Sequence, residues 1–245
     1  MDKTTGPGPE AHRQTAPEQI ADRILAGVAV GVLQPGERLP GERELAAMLE
    51  VSRSTVRVAI ARLAALGVLE SRRGRAGGTF VRVFRPSSES TRGVLRALEP
   101  IHRQQEAVLD YRALVERLVA WTAAGRHTPG DDRAMRAALD GYERADSASA
   151  SREADRALHD AIAAAAGNDH LIELSRGLVA RVNLGFGTEP YSADLHHRAV
   201  QQHTDLVEAI IAGDAVRAGA LAGEHFELTT GQAWRALLHS ARRGE

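Results

Sequence analysis

From about residue 100 onward the strand signals vanish. Apolar residues recur every three or four positions through six segments, roughly 102–125, 131–146, 151–166, 168–186, 193–212 and 214–239. That spacing lines up apolar side chains on one stripe of a helix, and each stripe needs a neighbour to cover it. Thr128-Pro129-Gly130, Gly167-Asn168 and Glu189-Pro190 punctuate the run as turns. The predicted architecture over residues 100–240 is therefore an all-helical bundle of six or seven helices. Aromatic residues make up 4% of the chain against 43% apolar residues, which suits Ala/Leu/Val-packed helices better than a β core. No tandem repeat is present.

The N-terminal part reads differently. Residues 1–16, polar and rich in Gly and Pro, are expected to form a disordered tail. A first helix starts near Pro17, with Ile20, Ile24, Val28 and Val32 on one stripe, and Gln34-Pro35-Gly36 stops it. A short second helix spans about 41–50 around Leu45, Met48 and Leu49. A third follows Ser52, a suitable N-cap, with Val56, Ala59, Ile60 and Leu63 inward. Two β-prone runs, 68–72 and 79–83, flank the Gly-rich turn 73–78. Helix, helix-turn-helix and hairpin in that order make a winged helix over 17–85. Residues 86–99, opening Pro86-Ser87-Ser88-Glu89-Ser90, read as a linker.

Charge separates the two parts further. The chain carries a formal charge of only −1, yet residues 51–85 hold eight arginines against the single Glu70. A local excess of +7 in so short a stretch points to a polyanion as its partner. The chain has no cysteine, which excludes disulfides and thiolate metal sites. The first residues do not resemble a secretory signal, and no stretch is long and apolar enough to span a bilayer. A soluble, cytoplasmic protein without membrane association is expected.

The residues Leu33-Gln34-Pro35-Gly36-Glu37-Arg38-Leu39-Pro40-Gly41-Glu42-Arg43-Glu44-Leu45-Ala46, then Val51-Ser52-Arg53-Ser54-Thr55-Val56-Arg57 and Gly78-Thr79-Phe80-Val81, resemble the winged-helix signature of the GntR family of transcription regulators. Gly41 departs from the Ser or Thr more usual there, at little cost because Gly is a tolerable N-cap. A recognition helix entering the major groove by its N-terminus needs short donors and long cations on its first two turns. Ser52, Arg53, Ser54, Thr55 and Arg57 supply them, and Arg can grip guanine bidentately. The resemblance adds Arg43 as a further DNA contact and Arg73-Gly74-Arg75 as a wing tip for the minor groove. Arg62 reads as structural or as a backbone contact.

In the helical half the histidines are the informative residues. Asp155 and His159, four apart, project from one helix face about 6 Å from each other. His203 and His225 lie ten residues before and twelve after the break at Gly213-Asp214. An antiparallel helix pair would bring them to similar heights. Three imidazoles and a carboxylate suit a divalent ion such as Zn or Ni. Spacing alone leaves these histidines open to being surface or satisfied core residues. His196 and His197, too far along the helix to share an ion with His203, read as surface residues.

The set Asp155-x-x-x-His159, Gly167-Asn168, His203-Thr204-x-x-x-Glu208-Ala209-Ile210-x-x-Gly213-Asp214 and His225 resembles the FCD effector domain of FadR-type GntR regulators. The position before His159, often aromatic in that family, is Leu158 here. The resemblance implies a metal held by Asp155, His159, His203 and His225, with Arg112 receiving the carboxylate of a small organic or sugar acid. An intrahelical pair with Glu116 is the alternative role for Arg112. Arg181 and Asn183 are further candidate pocket residues. The implied protein is a homodimeric repressor that leaves a pseudo-palindromic double-stranded operator when its effector binds. A metalloenzyme is disfavoured, because no separate general base or nucleophile accompanies the metal set. An architectural DNA-binding protein whose helical half only dimerises would lack the metal.

Overall fold

The computed structural model describes residues 14–74, 77–82, 88–186 and 191–226, with the side chains at 88–102, 104 and 180 excepted. Residues 1–13 of the tail expected over 1–16, the wing residue Arg75, residues 86–87 of the expected linker and residues 227–239 of the last expected helix lie outside these residues, while Ala16, expected in the tail, begins the first helix.

Helix α1 (Ala16–Ala29) opens on a reciprocal cap. The Thr15 backbone N–H and hydroxyl both donate to Glu18 Oε2 at 3.0 Å, and Pro17 occupies the first turn. Helices α2 (Glu42–Met48) and α3 (Arg53–Ala65) follow. The antiparallel strands β1 (Leu69–Arg72) and β2 (Gly78–Val81) then pair Leu69 with Val81 and Arg72 with Gly78. The mainly helical fold with one small hairpin is the one expected. Ile24, Leu45, Val56, Leu63 and Leu69 are all but fully buried where α1, α2, α3 and β1 converge. Burying a side chain of this kind contributes about 1.5–3 kcal/mol.

Helix α4 runs from Ser88 to Ala124, 37 residues without a break. The expected linker at 86–99 is thus helical from Ser88 onward. Ser and Glu cap or continue a helix as readily as they fill a loop, and Gly93 does not stop it. Helices α5 (Pro129–Glu143), α6 (Ala148–Ala165), α7 (Asp169–Val182) and α8 (Ala193–Ile211) complete the bundle, with α9 running through 215–226. Each of α5 to α8 starts on a side-chain cap, from Thr128, Ser147, Asn168 and Ser192 respectively. Val119, Met135, Leu158, Leu178, Leu206 and Ile210 form the shared core. Gly213, at φ 71°, lets the chain reverse between α8 and α9.

The two cores meet. After α7, Leu184 and Phe186 leave the bundle and join the N-terminal core. A Cβ at Gly27 would stand 2.9 Å from the Phe186 ring, so glycine permits the approach. Polar contacts add to this seam. Arg23 Nε donates to the Leu184 carbonyl and Gln34 Nε2 to that of Tyr191, the latter at 2.7 Å.

Candidate metal centre and DNA-reading face

Ser52 caps α3, its Oγ accepting from the Thr55 amide at 3.1 Å and lying 2.8 Å from the hydroxyls of Ser54 and Thr55. The three hydroxyls thus form one cluster at the helix start. Arg53 stands exposed beside it, and Arg43 on α2 and Arg73 and Gly74 at the hairpin end are exposed as well. Arg57 is exposed but engaged, its Nη2 2.8 Å from Glu42 Oε2. That pairing fastens α2 to α3, a role its spacing in the sequence did not reveal. Arg62 bonds Glu18 at 2.8 Å, in keeping with a structural role. Arg72 and Arg82 both turn to Glu70, and the Arg72 guanidinium lies 4.3 Å over the Phe80 ring. These two brace the hairpin.

The four residues singled out in the helical half converge. One ligand atom from each of Asp155, His159, His203 and His225 lies within 4.8 Å of all the others. His203 Nε2 is 3.2 Å from His225 Nε2 and 3.5 Å from Asp155 Oδ1, and His159 Nε2 is 3.8 Å from the same oxygen. Ligand atoms about 2.0–2.1 Å from a tetrahedral ion stand about 3.3 Å apart, so the spacing fits a first-row divalent cation. Two further features fit. His159 Nε2 is buried without a hydrogen-bond partner among the described residues. His225 Nδ1 lies 3.1 Å from Gln202 Oε1, which favours the tautomer with its proton on Nδ1 and a bare Nε2.

Electrostatics keeps these rings neutral. Burial pushes the imidazoles of His159, His203 and His225 well below the usual histidine range, and each is depressed further by one of the others. Neutral rings offer lone pairs. The Phe226 ring packs 4.9 Å from both His159 and His225, and Tyr142 meets His203 edge-on at 4.6 Å. Burial raises the Tyr142 hydroxyl well above the ordinary tyrosine value.

His196 is not a surface residue. It is 7% exposed, and its Nδ1 sits 2.9 Å from Ser151 Oγ on α6. Its place two turns before His203 puts it on the same inward stripe, a consequence of helical spacing that ligand-sharing distance alone overlooks. His197 is exposed, as expected.

A cavity of about 920 Å³ opens beside the cluster, lined by Arg112, Glu116, Asp155, His159 and Ser175 among others. Arg112 is 3% exposed, with its Nε 3.9 Å from Glu116 Oε1 and its guanidinium 4.1 Å over the Phe226 ring. Glu116 also accepts from Ser175 Oγ at 2.8 Å. Both readings of Arg112 are therefore compatible, since its pairing with Glu116 leaves it on the cavity wall. Arg181 is exposed on the last turn of α7 and Asn183 is fully buried at its C-cap. Neither is among the described residues lining the cavity. Tyr142, Gln202 and Phe226 were not found from the sequence, although Gln202 directly precedes a ligand candidate.

Comparison with known proteins bears on both halves. Residues 16–81 match the model described as bacterial regulatory proteins, gntR family, and residues 91–228 match the FCD domain. A candidate L-lactate dehydrogenase operon regulatory protein of Escherichia coli K12 is 34% identical over 206 residues, covering 81% of this chain and 78% of the relative. RmpR of Mycobacterium gastri, a candidate HTH-type transcriptional regulator, is 30% identical over 224 residues, covering 89% and 78%. Among solved structures, a GntR protein of Streptococcus agalactiae is 26% identical with a TM-score of 0.42, covering 86% of this chain and 97% of its own.

Proposed function

The chain belongs to the gntR family of bacterial regulatory proteins and carries an FCD domain, and from that premise we propose that it is a homodimeric repressor released from its operator by an organic acid bound beside a divalent metal. As a family member it is a DNA-binding transcription regulator and not an enzyme. No described helix is long and apolar enough to cross a membrane, and a cytoplasmic location, where operator DNA is found, accords with this reading.

The observation that carries the sensing reading is the convergence of Asp155, His159, His203 and His225 on the edge of a cavity that also holds Arg112. Those four residues would hold the ion, zinc or nickel being suited to three imidazoles and one carboxylate. A bound divalent ion supplies a Lewis-acid position that a carboxylate or hydroxyl can take in place of water. Arg112, held over Phe226 and beside Glu116, would orient the carboxylate from the opposite side. Asn183 and Arg181, away from the cavity wall, would act only indirectly.

On the DNA side, Arg53 and the Ser52–Ser54–Thr55 hydroxyl cluster form the part of α3 presented for base and phosphate contacts, with the exposed Arg43, Arg73 and Gly74 as further contacts; Arg75 lies outside the described residues. Arg57 would reach DNA only by leaving Glu42 or by contacting it with its remaining donors. Two such helices are needed for a pseudo-palindromic operator. Tyr111, Leu114, Leu118 and Trp121 form a stripe along α4, and the last three are 56%, 49% and 53% exposed. Their 3-4-3 spacing is the one that pairs with a second helix, and a two-fold copy presents the same stripe. A second copy of this chain is the occupant it fits.

The relative named for an L-lactate dehydrogenase operon puts L-lactate among the acids to be tested. The test is a thermal-shift screen of zinc-loaded protein against hydroxy acids and sugar acids, followed by operator release with each hit. Stabilisation by at least one acid, with loss of the DNA complex, is expected. A panel that shifts neither the midpoint nor the DNA complex would overturn the acid-sensing reading.

A further inference from the structure

The cavity beside the metal cluster is not confined to the helical bundle. Gln34, Pro35 and Glu37, from the turn between α1 and α2, form part of its wall. One residue ties that turn to the sensing half. Arg152, on α6, sends Nη1 to both carboxylate oxygens of Glu37 at 3.1 and 3.2 Å and Nη2 to the Val32 carbonyl at 2.8 Å. Its side chain is only 11% exposed, and it too lines the cavity. Three residues before Asp155 on one helix, it shares that residue's face. It precedes His159 by about 10 Å along the axis.

The size of the cavity bears on what it takes. About 920 Å³ is the upper end of what drug-sized ligands occupy, far more than a three-carbon acid fills. Arg112 stands at the metal end and Arg152 at the domain boundary. A guanidinium nitrogen already held against both oxygens of one carboxylate is placed to receive another carboxylate in its stead.

Building on the acid-sensing reading above, we infer that the cavity takes an extended acid with two anionic ends, one held beside Arg112 and the metal ligands and the other by Arg152 in place of Glu37. The exchange removes the Glu37 share of Arg152's hold on the turn between α1 and α2 and leaves its bond to the Val32 carbonyl, so the ligand loosens the DNA-binding half by direct competition. Glu37 is the internal stand-in for the ligand's far carboxylate. A ligand shifts the equilibrium only through contacts that differ between the two states, and this one contact differs by construction.

Zinc-loaded, full-length protein is titrated calorimetrically with glucarate, gluconate and L-lactate. The first two differ only in whether the sixth carbon is a carboxylate. Wild type is expected to bind glucarate at least tenfold more tightly than gluconate, Arg152→Gln to erase that preference with zinc content unchanged, and Glu37→Gln to bind glucarate several-fold more tightly than wild type. Hydrogen exchange at residues 31–37 is expected to quicken on adding glucarate to wild type, and to be quick already in Glu37→Gln. A preference retained in Arg152→Gln, or wild-type behaviour of Glu37→Gln, overturns the inference. Binding of lactate without glucarate overturns it while leaving acid sensing intact; binding of none of the three sinks both.

Discussion

The Nε2 atoms of His203 and His225 stand 3.2 Å apart although twenty-two residues separate them, because α8 and α9 run back along each other from the turn at Gly213. Both rings are buried and neutral, so the pair can share at most one proton between these two nitrogens. Their arrangement makes sense when a cation is placed between them. Gln202, reaching His225 Nδ1 from the same helix as His203, sets which nitrogen faces inward.

From this relationship follows a test of the metal site. Gln202→Ala should lower zinc affinity about 10–100-fold, the usual effect of removing an outer hydrogen bond to a ligand. His225→Ala should leave the purified protein without stoichiometric zinc. Chelator competition reads the first and elemental analysis the second. Wild-type affinity in both variants would remove these residues from a metal site.

Arg53→Ala should weaken binding to an operator selected from random duplexes by about 1–3 kcal/mol and relax specificity at one base position. Far-ultraviolet circular dichroism should be unchanged, since Arg53 is exposed and outside the core. Glu42→Gln, which releases Arg57, should lower the midpoint of thermal unfolding only slightly. Unaltered footprints with Arg53→Ala would contradict the assignment of α3 as the reading helix.

Acid should loosen the start of α1. The Thr15 backbone N–H, and after it the Arg62 guanidinium, hold the Glu18 carboxyl down to about 2 from its ordinary 4.5. A carboxyl depressed in the folded state stabilises the fold above its unfolded value, and the contribution is lost as pH falls toward the folded one. Glu18→Gln should therefore lower the urea midpoint at pH 7. The gap between variant and wild type should close as pH drops from about 4.5 to 2. A gap that does not vary with pH would contradict the assigned role.

The α4 stripe predicts the assembly. Replacing Leu118 and Trp121 together with glutamate should halve the mass seen by light scattering and abolish binding to a two-half-site operator, while zinc content stays at the wild-type level. A double variant that keeps the mass of a dimer would place the interface elsewhere.

Helix count, the order of the winged helix and the pairing of Asp155 with His159 were legible in the sequence, because each depends on spacing within one element or across one turn. Even the meeting of His203 and His225 could be read, since a single reversal joins their helices. Local spacing misled at two places. The Pro86-Ser87-Ser88-Glu89-Ser90 opening reads as a linker, whereas Val94, Leu95 and Leu98 already carry helical spacing and residues 88–99 extend α4. His196 was set aside on its distance from His203, whereas its helical phase turns it inward toward Ser151.

By itself, then, the sequence determined the main elements, the membership of the winged-helix half and the identities of the four converging ligand candidates. The tertiary structure alone decided what lies between the two halves. Phe186 against Gly27, Gln34 at the Tyr191 carbonyl and Arg152 on Glu37 join residues more than a hundred positions apart. No periodicity encodes such pairs, because they arise only when two separately packed cores bury a common seam and the polar groups left there must find each other.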